Sequence, residues 1–216
     1  MALAALPRRD RHAREHLADL ARRVRPVVFA HERAIPIAGE LGELLPMGGL
    51  QRGSVVAVDG VRGAGATTVS LRLAAAATAA GEWAAAVDPD ATLGGLAATE
   101  LGVEPERFVV VQGVPDDQWA AVVAALLDGV ALVHVTVTPA LRAGDARRLV
   151  ARARERDAVL VALGAWPAEA AVRLRADGGA WHGLGQGTGL LRARTHDVAI
   201  VERGAGARSR TLARAG

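Results

Sequence analysis

Between residues 55 and 163, short apolar runs alternate with stretches of helical periodicity. The runs cover residues 55–58, 83–87, 108–111, 130–137 and 158–163, and each reads as a strand. Residues 67–80, 93–101, 116–127 and 143–156 read as the helices between them. Gly81, Gly102 and Gly129 punctuate three of these helices, and Asp116 or Asp117 caps the third. Continuous apolar strands separated by helices predict an α/β fold whose mostly parallel central sheet is buried on both faces. After Gly164 the rhythm shortens. Residues 172–176, 190–195, 198–202 and 208–212 read as short C-terminal strands, expected to be antiparallel.

The N-terminal part has a different pattern. In residues 8–25, Leu17, Leu20, Ala21 and Val24 fall at i, i+3, i+4 and i+7, one apolar stripe on an otherwise Arg-rich helix. Pro26 ends it, residues 27–30 suit a short strand, and the Pro- and Gly-rich residues 31–53 read as a linker. The expected organisation is an arm and linker over residues 1–40 and a core domain over 41–216. The uncovered stripe suits an assembly arm that docks on its own core, on a second copy or on another protein.

Composition changes this picture little. Just over half of the 216 residues are hydrophobic, mostly Ala and Val, which predicts a core of small side chains. All 26 basic residues are Arg, so arginine abundance by itself says nothing about nucleic acid, and the formal charge is only +3. The absence of Cys excludes disulfides, iron–sulfur clusters and thiol chemistry and is compatible with the cytoplasm, the expected location. No membrane association is expected: no apolar run, 73–80 included, approaches the length of a span.

The chemistry concentrates where the first core strand ends. Residues 59–68 read Asp-Gly-Val-Arg-Gly-Ala-Gly-Ala-Thr-Thr and lead into a helix. A phosphate-binding loop reads G-x-x-x-x-G-K-[ST] in that setting. Gly60 and Gly65 have its spacing, Gly63 lies between them, and Thr67, followed by Thr68, stands at the hydroxyl position; Ala66 stands where lysine belongs. The glycines let backbone N–H groups curl inward, and the helix start adds partial positive charge. The missing lysine removes a charge-assisted contact of about 1.5–3 kcal/mol. The fourth strand, with His134, has no acid to hold Mg²⁺. Asp88 and Asp90 follow the second strand and also suit plain loop chemistry. The loop reads as degenerate, with no catalytic residue, no metal and no bound cofactor expected; ATP is the one ligand the surviving cradle keeps open.

Other positions suit a surface contact with DNA or a partner. Arg148, Arg152 and Arg156 recur every four residues and make a basic stripe, which suits phosphate backbone and equally a solvated helix face. Trp166, Arg173, Arg175 and Trp181 lie in the Gly-rich segment 164–189, where they could stack on bases or plug the end of a small-residue core.

Residues 44–58, Leu-Leu-Pro-Met-Gly-Gly-Leu-Gln-Arg-Gly-Ser-Val-Val-Ala-Val, resemble the lead-in to the RecA phosphate loop. With the lysine-less Gly65-Ala-Thr-Thr68, Trp119-Ala-Ala-Val-Val-Ala-Ala-Leu-Leu-Asp128, Ala151-Arg-Ala-Arg-Glu-Arg156 running into Val159-Leu-Val-Ala-Leu-Gly164, and Trp181-His-Gly-Leu-Gly-Gln-Gly-Thr-Gly189, the ordered set resembles the ImuA-type, RecA-like SOS mutagenesis proteins of the actinobacterial (ImuA-prime) branch, over roughly residues 14–204. That resemblance implies a RecA-like core and an accessory role in a damage-induced mutasome. It implies an ImuB-like Y-family polymerase homologue as partner and, through it, an error-prone C-family polymerase in translesion synthesis. Single-stranded DNA and a second copy of the chain stay open as further partners. The alternatives are a DNA-stimulated ATPase with a lysine-free loop and a self-associating structural subunit.

Overall fold

The computed structural model describes residues 34–184, 189–201 and 208–215, with only the backbone described for 184 and 208–215. The chain divides into units 1–33 and 34–216, and every described residue lies in the second. The expected N-terminal helix with Leu17, Leu20, Ala21 and Val24, and the short strand after it, lie outside the described residues.

The core follows the strand–helix alternation. Strands β3 (Val55–Gly60), β4 (Ala84–Asp88), β5 (Phe108–Gln112), β6 (Leu132–Thr136) and β7 (Val159–Leu163) are parallel and lie in the order β3-β7-β6-β4-β5. Strand β8 (Val172–Gly178) joins on the far side of β3, also parallel. Strands β10 (Gly189–Ile200) and β11 (Arg208–Ala215) extend that side antiparallel, and β9 (Trp181–Leu184) pairs with β10. The whole is a nine-stranded, mostly parallel sheet.

Period-two geometry sends successive side chains to opposite faces. Val56 and Val58 therefore enter one apolar cluster, and Val55 and Ala57 the other; Val159 and Val161 separate from Leu160 and Ala162 in the same way. The first face is covered by α2 (Ala66–Ala79), through Val69, Leu73 and Ala77. The second is covered by α4 (Asp116–Leu127), through Trp119, Val123 and Leu127, and by α5 (Ala143–Glu155), through Ala146, Leu149 and Ala153. The remaining helix, α3 (Gly95–Glu100), is one short turn after β4. Ala84, Ala85 and Ala86 of β4, the neighbour of the edge strand β5, are fully buried, so small residues pack closely on that side of the sheet.

Four expectations need correction. The edge strand β5 is not buried on both faces: Val109 and Val110 are exposed. Residues 34–53 are not a linker. Strand β1 (Ala34–Pro36) pairs antiparallel with β2 (Gly49–Gln51), and helix α1 (Gly39–Leu44) lies between them. Ile35, Leu41, Leu44, Leu45 and Leu50 are buried in the first core cluster, so the Pro and Gly residues are turn points within a packed cap. Strand β8 is parallel to β3, because the irregular connection after β7 returns the chain to the start of the sheet. Residues 190–195 and 198–202 are not two strands: β10 is continuous, with a register shift at Asp197/Val198 standing where a break was expected.

Trp119 is fully buried, and its indole Nε1–H donates to the Thr136 carbonyl at 3.2 Å. Trp119→Ala should lower stability by about 3–5 kcal/mol, since an aromatic of this size leaves a cavity between α4 and the sheet. Urea unfolding checks this; a loss below about 1 kcal/mol would mean that α4 is not anchored there.

Candidate functional site: a glycine loop closed by the chain itself

Residues 60–65 curl from the end of β3 into the start of α2. Gly60 is forced by its neighbour: a Cβ there would lie 2.5 Å from the Ala176 carbonyl of β8. Gly65 is forced twice. It caps α2 at φ 102°, a region that favours glycine, and a Cβ on it would lie 2.1 Å from His196 Nδ1. Ala64 is buried, Val61, Arg62 and Gly63 are exposed, and Ala64 N–H bonds the Val61 carbonyl at 2.9 Å. The expected loop is present, with Ala66, Thr67 and Thr68 in the first turn of α2. Arg62, on the outer turn, makes no ion pair or side-chain hydrogen bond among the described residues.

What the sequence did not suggest is the group that meets the loop. Strand β10 lays Arg194 and His196 against it. The Arg194 guanidinium donates to the Gly63 carbonyl. His196 is buried, with its ring on Gly65 and Nδ1 3.4 Å from the Ala64 carbonyl. Arg194 also lies over the Trp181 ring, 4.8 Å from its centroid. Beside this contact is a pocket of about 240 Å³ lined by Thr68, Trp181, Leu191, Arg192, Arg194 and His196. The loop's curl thus presents carbonyls to cationic and imidazole groups of its own chain. No local motif links residues 63–65 to 194–196, some 130 positions on, and only the sheet order brings them together.

Behind the loop, His134 stands on β6, fully buried. Its Nε2 lies 3.0 Å from Ser70 Oγ, and the Ser70 hydroxyl donates to the Thr67 carbonyl at 2.9 Å. The Ser70 proton is thereby committed, so the ring is the neutral Nε2–H tautomer donating to Ser70. Nδ1 is buried without a hydrogen-bond partner among the described residues. Burial pushes the imidazole down to about 4, against a smaller opposite pull from Asp88. Asp88 is itself buried. Burial opposes its charge, but the Leu93 and Thr92 backbone, the Thr92 hydroxyl and the Gln112 amide donate to it and hold it below the usual carboxylate range. Asp88 therefore organises the turn after β4, and His134 ties the sheet to the first turn of α2. Among the described residues, no group of three His, Asp or Glu could hold a metal ion.

The remaining expected site residues are scattered. Trp166 is buried, with Nε1–H donating to the Glu169 carbonyl at 3.1 Å, and Arg173 donates to the carbonyls of Trp166 and Ala168. This pair plugs the end of the sheet, so neither side chain is a free stacking platform. Arg175 instead faces Asp59 at 3.6 Å, next to the loop. Trp181 is exposed on β9. Arg152 grips Asp128 with two hydrogen bonds of 2.6 Å, Arg156 reaches the same carboxylate at 3.1 Å, and Arg148 pairs with Asp145. Arg152 is the main cause that holds the Asp128 carboxyl below its usual range. Acids therefore meet every arginine of the expected stripe.

This parallel sheet, with a glycine loop between β3 and α2, defines a RecA-like α/β core. The sequence comparisons agree. A family model described as the MT3502 N-terminal domain matches residues 43–168, more than half of the chain, and the chain belongs to that family. Protein RecA of Mycobacterium ulcerans (strain Agy99) is 37% identical over 93 residues, 43% of this chain and 27% of the RecA chain. The likeness thus spans about a quarter of that relative's length. Among the described residues, no helix is long and apolar enough to cross a membrane.

Two measurements probe this region. Gly65→Ala should cost at least about 2 kcal/mol, from the left-handed backbone and the clash with His196 together. In a double-mutant cycle, adding His196→Ala should recover part of it; simple additivity would mean that the ring does not press on the loop. His134 is neutral in the fold and titrates near 6.5 when unfolded, so the unfolded chain binds the extra proton as pH falls. Stability should therefore be full above about pH 6.5 and drop by about 2 kcal/mol between pH 7.5 and 5. His134→Gln should flatten that slope, and an unchanged slope would place the titrating group elsewhere.

Proposed function

We propose that this chain is a non-catalytic accessory protein of DNA-damage tolerance, an ImuA-type member of the ImuA-prime branch. In this reading it scaffolds translesion synthesis in a damage-induced mutasome. It binds an ImuB-like Y-family polymerase homologue and, through it, serves an error-prone C-family polymerase. Single-stranded DNA is a secondary contact. The similarity to RecA supports a place in DNA repair, and the motif set of residues 44–189 supports the branch.

One observation carries the non-catalytic part. The loop that would cradle phosphates has Ala66 in the lysine position, and its Gly63 and Ala64 carbonyls face Arg194 and His196 of the same chain. The strand that would supply a metal acid carries His134, whose ring is tied to Ser70. Neither lysine nor metal acid remains to stabilise the charge that develops in phosphoryl transfer. Selection for such a chain then acts on its surfaces.

Incubation with labelled ATP and Mg²⁺, with and without single-stranded DNA, should give no turnover above background. Co-expression with the Y-family homologue should give a complex that survives sizing chromatography. Turnover that Gly65→Val or Thr67→Val abolishes would overturn the adaptor reading in favour of a lysine-free ATPase. Absence of any complex would leave self-association as the role to explain.

A further inference from the structure

Helix α5 carries two sets of arginines, and only one is neutralised. Arg148 and Arg152, with Arg156 beyond the helix end, meet Asp145, Asp128 and Glu155. Arg147 and Arg154 are exposed, and neither makes an ion pair or side-chain hydrogen bond among the described residues. Seven residues apart, they stand on one face, about 10.5 Å from each other along the axis. Val150 and Ala151 lie between them.

That face is one wall of a groove of about 940 Å³. The other wall is the segment 166–172, with Val201 at the end of β10. It is irregular backbone held rigidly. Trp166 is buried beneath it and donates to the Glu169 carbonyl, and Arg173 ties down the Trp166 and Ala168 carbonyls. A wall braced this way offers a preformed surface and needs little ordering on binding. Val150, Ala168, Ala170 and Val172 supply apolar lining between the two cations.

The geometry points to this groove as the docking site for an extended peptide segment of a partner, carrying acidic residues three apart with apolar residues between them. In the extended polyproline II conformation three residues complete one turn and advance about 9.3 Å, so acids three apart share a face and nearly match the spacing of Arg147 and Arg154. Each guanidinium can take one carboxylate with two parallel hydrogen bonds. Nucleic acid fits less well. The groove has only two open cations, too few to follow a phosphate backbone, and Trp166 is buried away from any base. A basic segment is excluded by Arg147 and Arg154 themselves. The inference deepens the adaptor reading and rests on it for the partner's biological role, although the measurement below reads the groove alone.

The probe is a fluorescein-labelled dodecapeptide repeating Glu-Val-Leu, with Gln-Val-Leu and Lys-Val-Leu versions as controls, titrated with the full chain by fluorescence anisotropy at low salt. The Glu peptide should bind at least tenfold more tightly than the Gln peptide, and the Lys peptide should not bind. Arg147→Glu with Arg154→Glu should weaken the Glu peptide at least tenfold. Arg142→Glu with Arg192→Glu, the same charge change outside the groove, should alter it less than threefold. Equal binding of the Glu and Gln peptides would overturn the proposal. So would insensitivity to the Arg147/Arg154 pair, or displacement of the peptide by a dodecameric oligo-dT that binds more tightly. A complex with the polymerase homologue that survives Arg147→Glu/Arg154→Glu would sink the groove and leave the adaptor reading standing. Peptide binding without any such complex would do the reverse.

Discussion

The contact between the glycine loop and strand β10 is the constraint around which the site is arranged. Gly65 has no room for a side chain because His196 fills the space, and Arg194 holds the Gly63 carbonyl. Both groups depend on β10 running antiparallel beside β8, which in turn lies parallel to β3. A loop shape that ordinarily serves an anion is here an internal joint between the first core strand and the C-terminal strands. The residues behind it have the same character. His134, Ser70 and the Thr67 carbonyl form a short hydrogen-bonded line that pins the start of α2 to the sheet. Burial keeps the imidazole neutral, so this line is structural near neutral pH and weakens in acid.

The interior explains why such a joint is tolerated. Strand β4, beside the edge strand β5, is alanine-rich, and the large buried indoles are Trp119 on α4 and Trp166 beneath the connection after β7. The sheet is therefore thin and closely packed, and the irregular segments are braced by side-chain hydrogen bonds to backbone carbonyls. Arg173 does this for residues 166–168, and Arg152 with Arg156 does the equivalent on the surface by gripping Asp128 at the end of α4. Arginine here acts largely as a structural fastener. That leaves Arg147 and Arg154 as the open cations of α5.

Local pattern was enough for much of the fold. The parallel strands and the helices between them follow from apolar runs and glycine stops, and two-face burial follows from uninterrupted apolar runs in β3, β4, β6 and β7 but not in the edge strand β5. The glycine loop was legible because its residues are contiguous. Its occupants were not, because Arg194 and His196 are distant in sequence and nothing local marks them. The cap of β1, α1 and β2 is not legible locally, because Pro and Gly obscure the spacing of Ile35, Leu41, Leu44 and Leu50. The arginine stripe was visible, but its partner Asp128 lies on the connection after another helix. Spacing alone therefore could not separate a neutralised face from an open one.

Hydrogen–deuterium exchange across residues 60–70, with and without saturating ATP and Mg²⁺, tests most directly whether the loop is an internal joint. Exchange in the wild-type chain should be unchanged by nucleotide, and Arg194→Ala or His196→Ala should accelerate it without any ligand. Protection of the loop by ATP in the wild-type chain, with no effect of either substitution, would contradict the structure's central contact and restore the loop as a nucleotide site.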